Sequence, residues 1–372
     1  MFLNAEIHSY ADARRLAKRR LPWMVFDYID GAAGDETGEV LNRETLKSIR
    51  LQPRILRNVA DRSLSVSLFG KEAGLPFSIA PMGMCDLARP GADKLLAHLA
   101  AKHSIPLGVS TAASSRLEDM IELAEGNAWF QLYFSGEEKG ALELIERARI
   151  ANYQTLVLTV DTPEVGRRPR ELRRGFKMPF KIGPSQFIDF AFHPRWSLTT
   201  LVKGRPRLAN SDGYESSFVR TASRAGADWS FLEKVRESWQ GNLVVKGVLN
   251  VEDAMKVKEF GADAIQVSSH GGRQLESTPP PILALQKIRQ AIGPGFPLFF
   301  DTGLRSGEDI VKAYAMGADF AFLGRPMSFA IAANGETGLN QMCDVLAEEI
   351  SITLAQIGLT DMSGVSASSI WQ

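Results

Sequence analysis

The sequence predicts an α/β fold: a (β/α)8 TIM barrel preceded by a helical extension and interrupted by a long excursion after the fourth barrel strand. Three observations carry that prediction. From residue 75 onward eight short apolar runs recur, each followed by a polar or glycine-rich turn and then a helical pattern. The runs are hydrophobic almost throughout rather than alternating, which suits parallel strands covered on both faces. No G-x-G-x-x-G follows the first run, so a doubly wound dinucleotide-binding sheet finds no support.

Taken in order, residues 1–70 read as helices and a connecting segment, and residues 71–372 as the barrel, all within one domain. The strands are read at LPFSIAP (75–81), PLGVS (106–110), AWFQLY (128–133), TLVLTVD (155–161), NLVVKG (242–247), DAIQVSSH (263–270), PLFFDTG (297–303) and FAFLGR (320–325). Between them NVEDAMKVKEFGAD offers Asn250 as N-cap, acids in the first turn and Gly261 as a stop. SGEDIVKAYAMGAD repeats the plan with Ser306 and Gly317, and LNQMCDVLAEEISITLAQIG reads as an amphipathic helix closing the barrel. Strands four and five lie far apart in sequence, and the surplus, residues 175–218, reads as an inserted loop. Phe180, Phe187, Ile188, Phe190, Phe192 and Trp196 are many apolar residues for solvent, and the arginine-rich stretch 167–174 flanks them. A lid, a subunit contact and a peripheral membrane contact are the three readings.

Composition narrows the function classes. With 43 basic and 43 acidic residues the formal charge is zero, which gives no broad attraction to nucleic acid. The two cysteines, Cys85 and Cys343, are far apart and form no metal-ligand motif, so no metal site is expected. No run approaches the ~20 apolar residues of a membrane span. The expected location is the cytoplasm, with peripheral attachment to the inner face of the plasma membrane as the alternative.

Barrel enzymes place their chemistry at the C-terminal ends of the strands. Those ends carry Pro81-Met82-Gly83, Ser110, Gln131 with Tyr133, Thr159 with Asp161, Lys246, Ser268 with His270, Asp301 and Gly324-Arg325. His270, one of only five histidines, is followed by two glycines that let backbone approach a ligand. It reads as a packed structural histidine or as a base steadied by Asp161. Arg168 and Arg273 are either solvated charges or a bidentate clamp for a carboxylate. DTGLRSGED and LGRPMS, after strands seven and eight, suit a phosphate, with Arg305 and Arg325 adding charge. Lys246 reads equally as a Schiff-base lysine of an aldolase or as a fixed cation beside an anionic cofactor.

Together these motifs resemble the FMN-dependent α-hydroxy-acid oxidase/dehydrogenase family, which includes glycolate oxidase, lactate dehydrogenase and mandelate dehydrogenase. The resemblance runs from RLPWMVFDYIDGAAGDE through FQLYF, LTVDTPEVGRRPRE, LVVKGV, SSHGGRQLE and DTGLRSGEDIVKAYAMGA to LGRP. It implies an FMN cofactor and oxidation of an L-2-hydroxy acid, lactate-like or bulkier, to the 2-oxo acid. It further implies His270 as the proton acceptor with Asp161 behind it, Arg168 and Arg273 on the carboxylate, and Tyr28 and Tyr133 on the substrate. Lys246 would stand at the flavin N1/O2 edge, with Pro81, Met82 and Gly83 before N5. Ser110, Gln131, Thr159 and Ser268 would hold the ring, Asp301 the ribityl chain, and Gly303, Arg305, Gly324 and Arg325 the phosphate. Three departures stand out: Ser269 replaces an asparagine, Glu276 an aspartate, and Thr302-Gly303 a glycine pair. Gly83, where the well-known oxidases carry alanine, and the HPRW and GRP phrases of the excursion favour a dehydrogenase that passes electrons to a quinone. An oxidase using O2 and producing H2O2 is the alternative, and a non-catalytic flavin-binding protein the remote one. The resemblance also implies a homo-oligomer, a tetramer.

Overall fold

The computed structural model describes residues 6–134, 136–176, 183–204, 208–210 and 223–371. Three helices lead the chain: α1 (Tyr10–Arg20), α2 (Trp23–Asp30) and α3 (Thr37–Ser48). Ser9 caps α1 by accepting from the Asp12 N–H at 3.2 Å. The other two helices receive their caps from far along the chain. Buried Asp189 accepts from the Trp23 and Met24 N–H groups at the start of α2. Glu276 accepts from both the N–H and the hydroxyl of Thr37 at the start of α3. The departure at Glu276 therefore fastens the leading helices to the barrel mouth.

A short antiparallel hairpin follows, β1 (Val66–Leu68) and β2 (Lys71–Ala73), with Gly70 at φ +75° in its turn. Its three-residue strands are too short to show a period in the sequence, so it was not expected there. The division drawn at residue 70 falls inside this turn. Phe69, at the hairpin tip, meets Trp129 and Phe299 at ring separations of 5.7 and 5.6 Å.

Eight parallel strands then close a barrel: β3 (Phe77–Met82), β4 (Leu107–Ser110), β5 (Ala128–Tyr133), β6 (Thr155–Thr159), β7 (Asn242–Val248), β8 (Ala264–Val267), β9 (Leu298–Phe300) and β10 (Phe320–Leu323), with β10 pairing β3. Six fall within an apolar run identified in the sequence, β3 and β7 extend one residue beyond theirs, at Met82 and Val248, and nearly all the strand residues are buried. The surrounding helices are α4 (Ala92–His103), α5 (Leu117–Leu123) and α6 (Glu138–Ile150), then α7 (Pro169–Arg173), α8 (Pro184–Phe192), α9 (Pro194–Lys203) and α10 (Trp229–Ser238) within the excursion between β6 and β7. After β7 come α11 (Val251–Glu259), α12 (Pro281–Ile292), α13 (Gly307–Ala315), α14 (Arg325–Asn334) and α15 (Glu336–Gln356). Asn250 and Ser306 cap α11 and α13 as expected, and Gly261 and Gly317 follow them at φ +82° and +109°.

The described part of the excursion is helical rather than a loop. Pro184 and Pro194 open α8 and α9 at the first helical position, where a missing N–H costs nothing. Trp196 is buried and its indole N–H donates to Leu87 O at 2.8 Å. Phe187, Ile188, Phe192, Leu198, Leu201 and Val202 stay exposed, Val202 by 84%. Phe180 lies outside the described residues.

Candidate active site

The strand ends surround a cavity that opens to solvent. Tyr28, Pro81, Met82, Gly83, Ser110, Tyr133, Arg168, Lys246, His270, Arg273, Asp301, Gly303, Arg305, Gly324 and Arg325 line it. Four other residues singled out from the sequence stand one layer behind, bonded to the lining. Gln131 accepts from Ser110 Oγ at 2.9 Å and donates to Thr159 Oγ1 at 3.0 Å. Ser268 and Asp161 support Lys246 and His270 in the same manner.

His270 follows β8 in a tight turn at φ +56°, with Gly271 and Gly272 also left-handed. Gly272 stands at φ +74°, and a Cβ there would also sit a tight 3.2 Å from the Glu39 backbone on α3, so backbone angle and close approach both favour glycine. The His270 Nδ1–H donates to Asp161 Oδ1 at 2.9 Å, which leaves Nε2 facing the cavity, 3.3 Å from the Tyr133 hydroxyl. Burial pulls the imidazole below its ordinary pKa, outweighing the opposite pull of Asp161, so it is neutral near pH 7. Burial works against the Asp161 charge, yet His270 and Lys246 more than compensate and hold the carboxyl below its usual range. Burial pushes the Tyr133 phenol up to about 12, so it stays a proton donor.

Lys246 leaves β7 and donates to Ser268 Oγ at 3.0 Å, with Asp301 Oδ2 at 3.3 Å. Burial disfavours the ammonium, but Asp301 and Asp161 outweigh it and raise the pKa above the ordinary lysine value. A lysine that stays protonated is a fixed cation and a poor amine nucleophile, so the aldolase reading loses its chemistry.

The two arginines line the same cavity and converge on one carboxylate oxygen of Glu171. Arg273 Nη1 donates to the carbonyls of Tyr28 and Gly31, and its Nη2 to Glu171 Oε1 at 2.8 Å. Arg168 Nη1 reaches the same oxygen at 3.4 Å, and its Nε donates to Arg273 O at 3.1 Å. Glu171 is buried and escaped the sequence analysis, although its position three residues after Arg168 on one helical turn was the available signal. Arg224 also lines the cavity unforeseen, its guanidinium 5.1 Å above the Tyr133 ring. Arg170 and Arg174, which the sequence offered as charges flanking a surface, turn inward to Asp30 and Glu36 and to Asp27.

The part of the cavity lined by Gly303, Arg305, Gly324 and Arg325 suits an anion. Burial, together with Arg305 and Arg273 nearby, pulls Arg325 down to about 10, a penalty that a bound phosphate would remove. Arg305 Nε is buried without a hydrogen-bond partner, and α14 begins at this point with its N-terminal N–H groups. Gly303 stands at φ +87°. Thr302 beside it stands at φ +94°, a position that costs a β-branched residue about 1–3 kcal/mol.

Comparison with known proteins decides what this arrangement is. The sequence profile described as FMN-dependent dehydrogenase matches residues 17–372. The chain belongs to that family. It is 37% identical over 372 residues to the (S)-mandelate dehydrogenase of Pseudomonas putida, covering 98% of this chain and 94% of that protein. It is 35% identical to an L-lactate dehydrogenase of Pseudomonas syringae pv. syringae (strain B728a), covering 97% and 98%. A crystal structure described as the monotopic membrane protein (S)-mandelate dehydrogenase superposes with a TM-score of 0.94 at 36% identity, covering 99% of this chain and all of that one. The protein is accordingly an FMN-dependent enzyme that oxidises 2-hydroxy acids. The residues fit that cofactor: a cationic end with an unpartnered guanidinium nitrogen for the phosphate, a buried lysine for the ring edge, and a hydroxyl–amide chain behind the ring wall. No helix among the described residues is long and apolar enough to cross a membrane.

Proposed function

We propose that the enzyme oxidises an L-2-hydroxy acid to its 2-oxo acid with His270 as the base. The observation that carries this is the placement of a neutral imidazole, its Nδ1 held by Asp161 and its Nε2 open to the cavity, in the same cavity as two convergent guanidiniums. Arg168 and Arg273 hold the substrate carboxylate, and Tyr28 and Tyr133 fix its orientation. His270 Nε2 then takes a proton from the substrate, and Asp161 stabilises the imidazolium that forms. Pro81, Met82 and Gly83 would hold FMN, which when bound would supply the acceptor for the two electrons and the second hydrogen that the substrate loses. Lys246 supplies a fixed positive charge at the ring edge, and preorganised charge of this kind needs no rearrangement during the reaction. Ser110, Gln131, Thr159 and Ser268 set the ring wall, Asp301 the ribityl chain, and Gly303, Arg305, Gly324 and Arg325 the phosphate.

Met82, Ala112, Thr162, Val165 and Arg224 also line the cavity and would bound the substrate side chain, lactate-like or bulkier. Electrons leave to a quinone at a membrane surface. The exposed apolar faces of α8 and α9, with Arg195 and Lys203 exposed on α9, suit an anionic bilayer, and the structurally similar mandelate dehydrogenase is described as monotopic. A homotetramer, checked by light scattering, completes the proposal. Anaerobic addition of a panel of 2-hydroxy acids to the FMN-loaded enzyme, followed by air, tests it. L-acids should bleach the flavin and air should restore the colour slowly. Bleaching by none of the acids would refute the reaction, and immediate recolouring would replace the quinone with O2. Phe192→Asp with Leu201→Asp should abolish sedimentation with anionic vesicles.

A further inference from the structure

The departures at Ser269 and Thr302 lie on either side of the His270 turn and touch each other. Thr302 Oγ1 accepts the backbone N–H groups of Ser269 and Gly271, each at 3.2 Å. Between them the His270 N–H donates to Ser268 Oγ at 2.9 Å. Three consecutive N–H groups around the histidine thus end on two hydroxyls. Each hydroxyl gives its single proton to the same atom, Asp301 Oδ1, at 2.9 Å from Thr302 and 2.6 Å from Ser268. The carboxylate orients both hydroxyls, and the hydroxyls hold the turn.

Thr302 adopts φ +94°, a conformation that a β-branched residue keeps only where its surroundings over-determine it. Glycine would adopt that backbone without strain but would leave two N–H groups of the histidine turn without this acceptor. The protein therefore retains a strained residue whose hydroxyl has all three of its hydrogen-bonding capacities filled by the turn and by Asp301. Asn42 Nδ2 donates to Ser269 Oγ at 3.2 Å and so ties α3 to the same turn from its other side.

We infer that Thr302 is a positioning residue for the oxidation: its hydroxyl holds the His270 turn at the angle that aims Nε2 at the substrate. The inference rests on His270 being the base. A displacement of reacting groups by about 1 Å costs roughly 10²-fold in rate, so a loosened turn has a large kinetic effect without touching the arginines that bind the carboxylate.

The test is single-turnover flavin reduction, measured anaerobically over a range of L-2-hydroxy acid concentration on FMN-loaded Thr302→Val, Thr302→Gly and Thr302→Ser enzymes. Valine keeps the shape and removes the hydroxyl, whereas glycine also removes the strain. Both should lower the limiting reduction rate about 10–100-fold while the substrate dissociation constant stays within about threefold. Serine should restore the rate to within about threefold of the parent, and FMN content verifies the fold of each variant. Parent-like limiting rates in Thr302→Val, or a loss in Thr302→Ser equal to that in Thr302→Val, would overturn the role of the hydroxyl. A parent-like limiting reduction rate in a His270→Gln enzyme would instead refute the base assignment, a separate failure that the same assay distinguishes.

Discussion

The two ends of the barrel are built from the same strands and are chemically opposite. Toward the N-terminal end Trp129, Phe299 and Phe320 pack ring against ring with Phe69 of the hairpin at 5.6–6.4 Å, and Phe322 continues the cluster up to the cavity wall. At the C-terminal end the same strands deliver hydroxyls, carboxylates and cations whose bonds run from one strand to the next. Within β5 the change takes two residues, from Trp129 to Gln131. At β9 it takes two, from Phe299 to Asp301 just beyond the strand. One end supplies burial and the other supplies positioned charge, so substitutions at the two ends should fail in different ways.

The sharpest contrast is between His270 and Phe299. His270→Gln should lower kcat/KM by about 10²–10⁴-fold while the denaturant midpoint barely moves. Phe299→Ala should cost about 3–5 kcal/mol of stability, read as a lower denaturant midpoint, with kcat/KM of the folded fraction within a few-fold of the parent. Comparable stability losses in the two variants would break the comparison. A smaller effect is expected at Glu171, which steadies both arginines. Glu171→Gln should raise KM for the hydroxy acid by about tenfold or more, a loss of about 1.5–3 kcal/mol in substrate binding, with kcat changing less. The gentlest probe is pH. Burial holds His270 below its ordinary pKa, and only the neutral imidazole can accept a proton. A plot of kcat/KM should therefore fall on the acid side with a midpoint under 6.5 and stay level to about pH 9. The level arm follows because Tyr133 titrates near 12 and Lys246 above its ordinary value.

The polar end was the more legible of the two in the sequence. A reactive residue closing an apolar run is visible without any structure, and His270, Asp161 and Lys246 were found in that way. Residues that serve another side chain were harder. Glu171 carries no strand-end signature, and Arg224 follows the excursion at a distance from any strand end. Thr302 stood out only as a departure, because its backbone angle and its two N–H partners arise from the closure of the barrel. At the apolar end the strands were legible but the plug was not, since Phe69 belongs to a hairpin too short to show a pattern. Arg170 and Arg174 misled for a related reason: their acidic partners, Asp27, Asp30 and Glu36, lie over a hundred residues earlier, and sequence alone does not bring them together.

The most direct measurement of the central claim is anaerobic flavin reduction in the parent and in His270→Gln, both loaded with FMN and saturated with an L-2-hydroxy acid. The parent should bleach within the time of a turnover. The variant should bind FMN equally and bleach about 10²–10⁴-fold more slowly. Equal rates in the two proteins would contradict the assignment of His270 as the base at the polar end of the barrel.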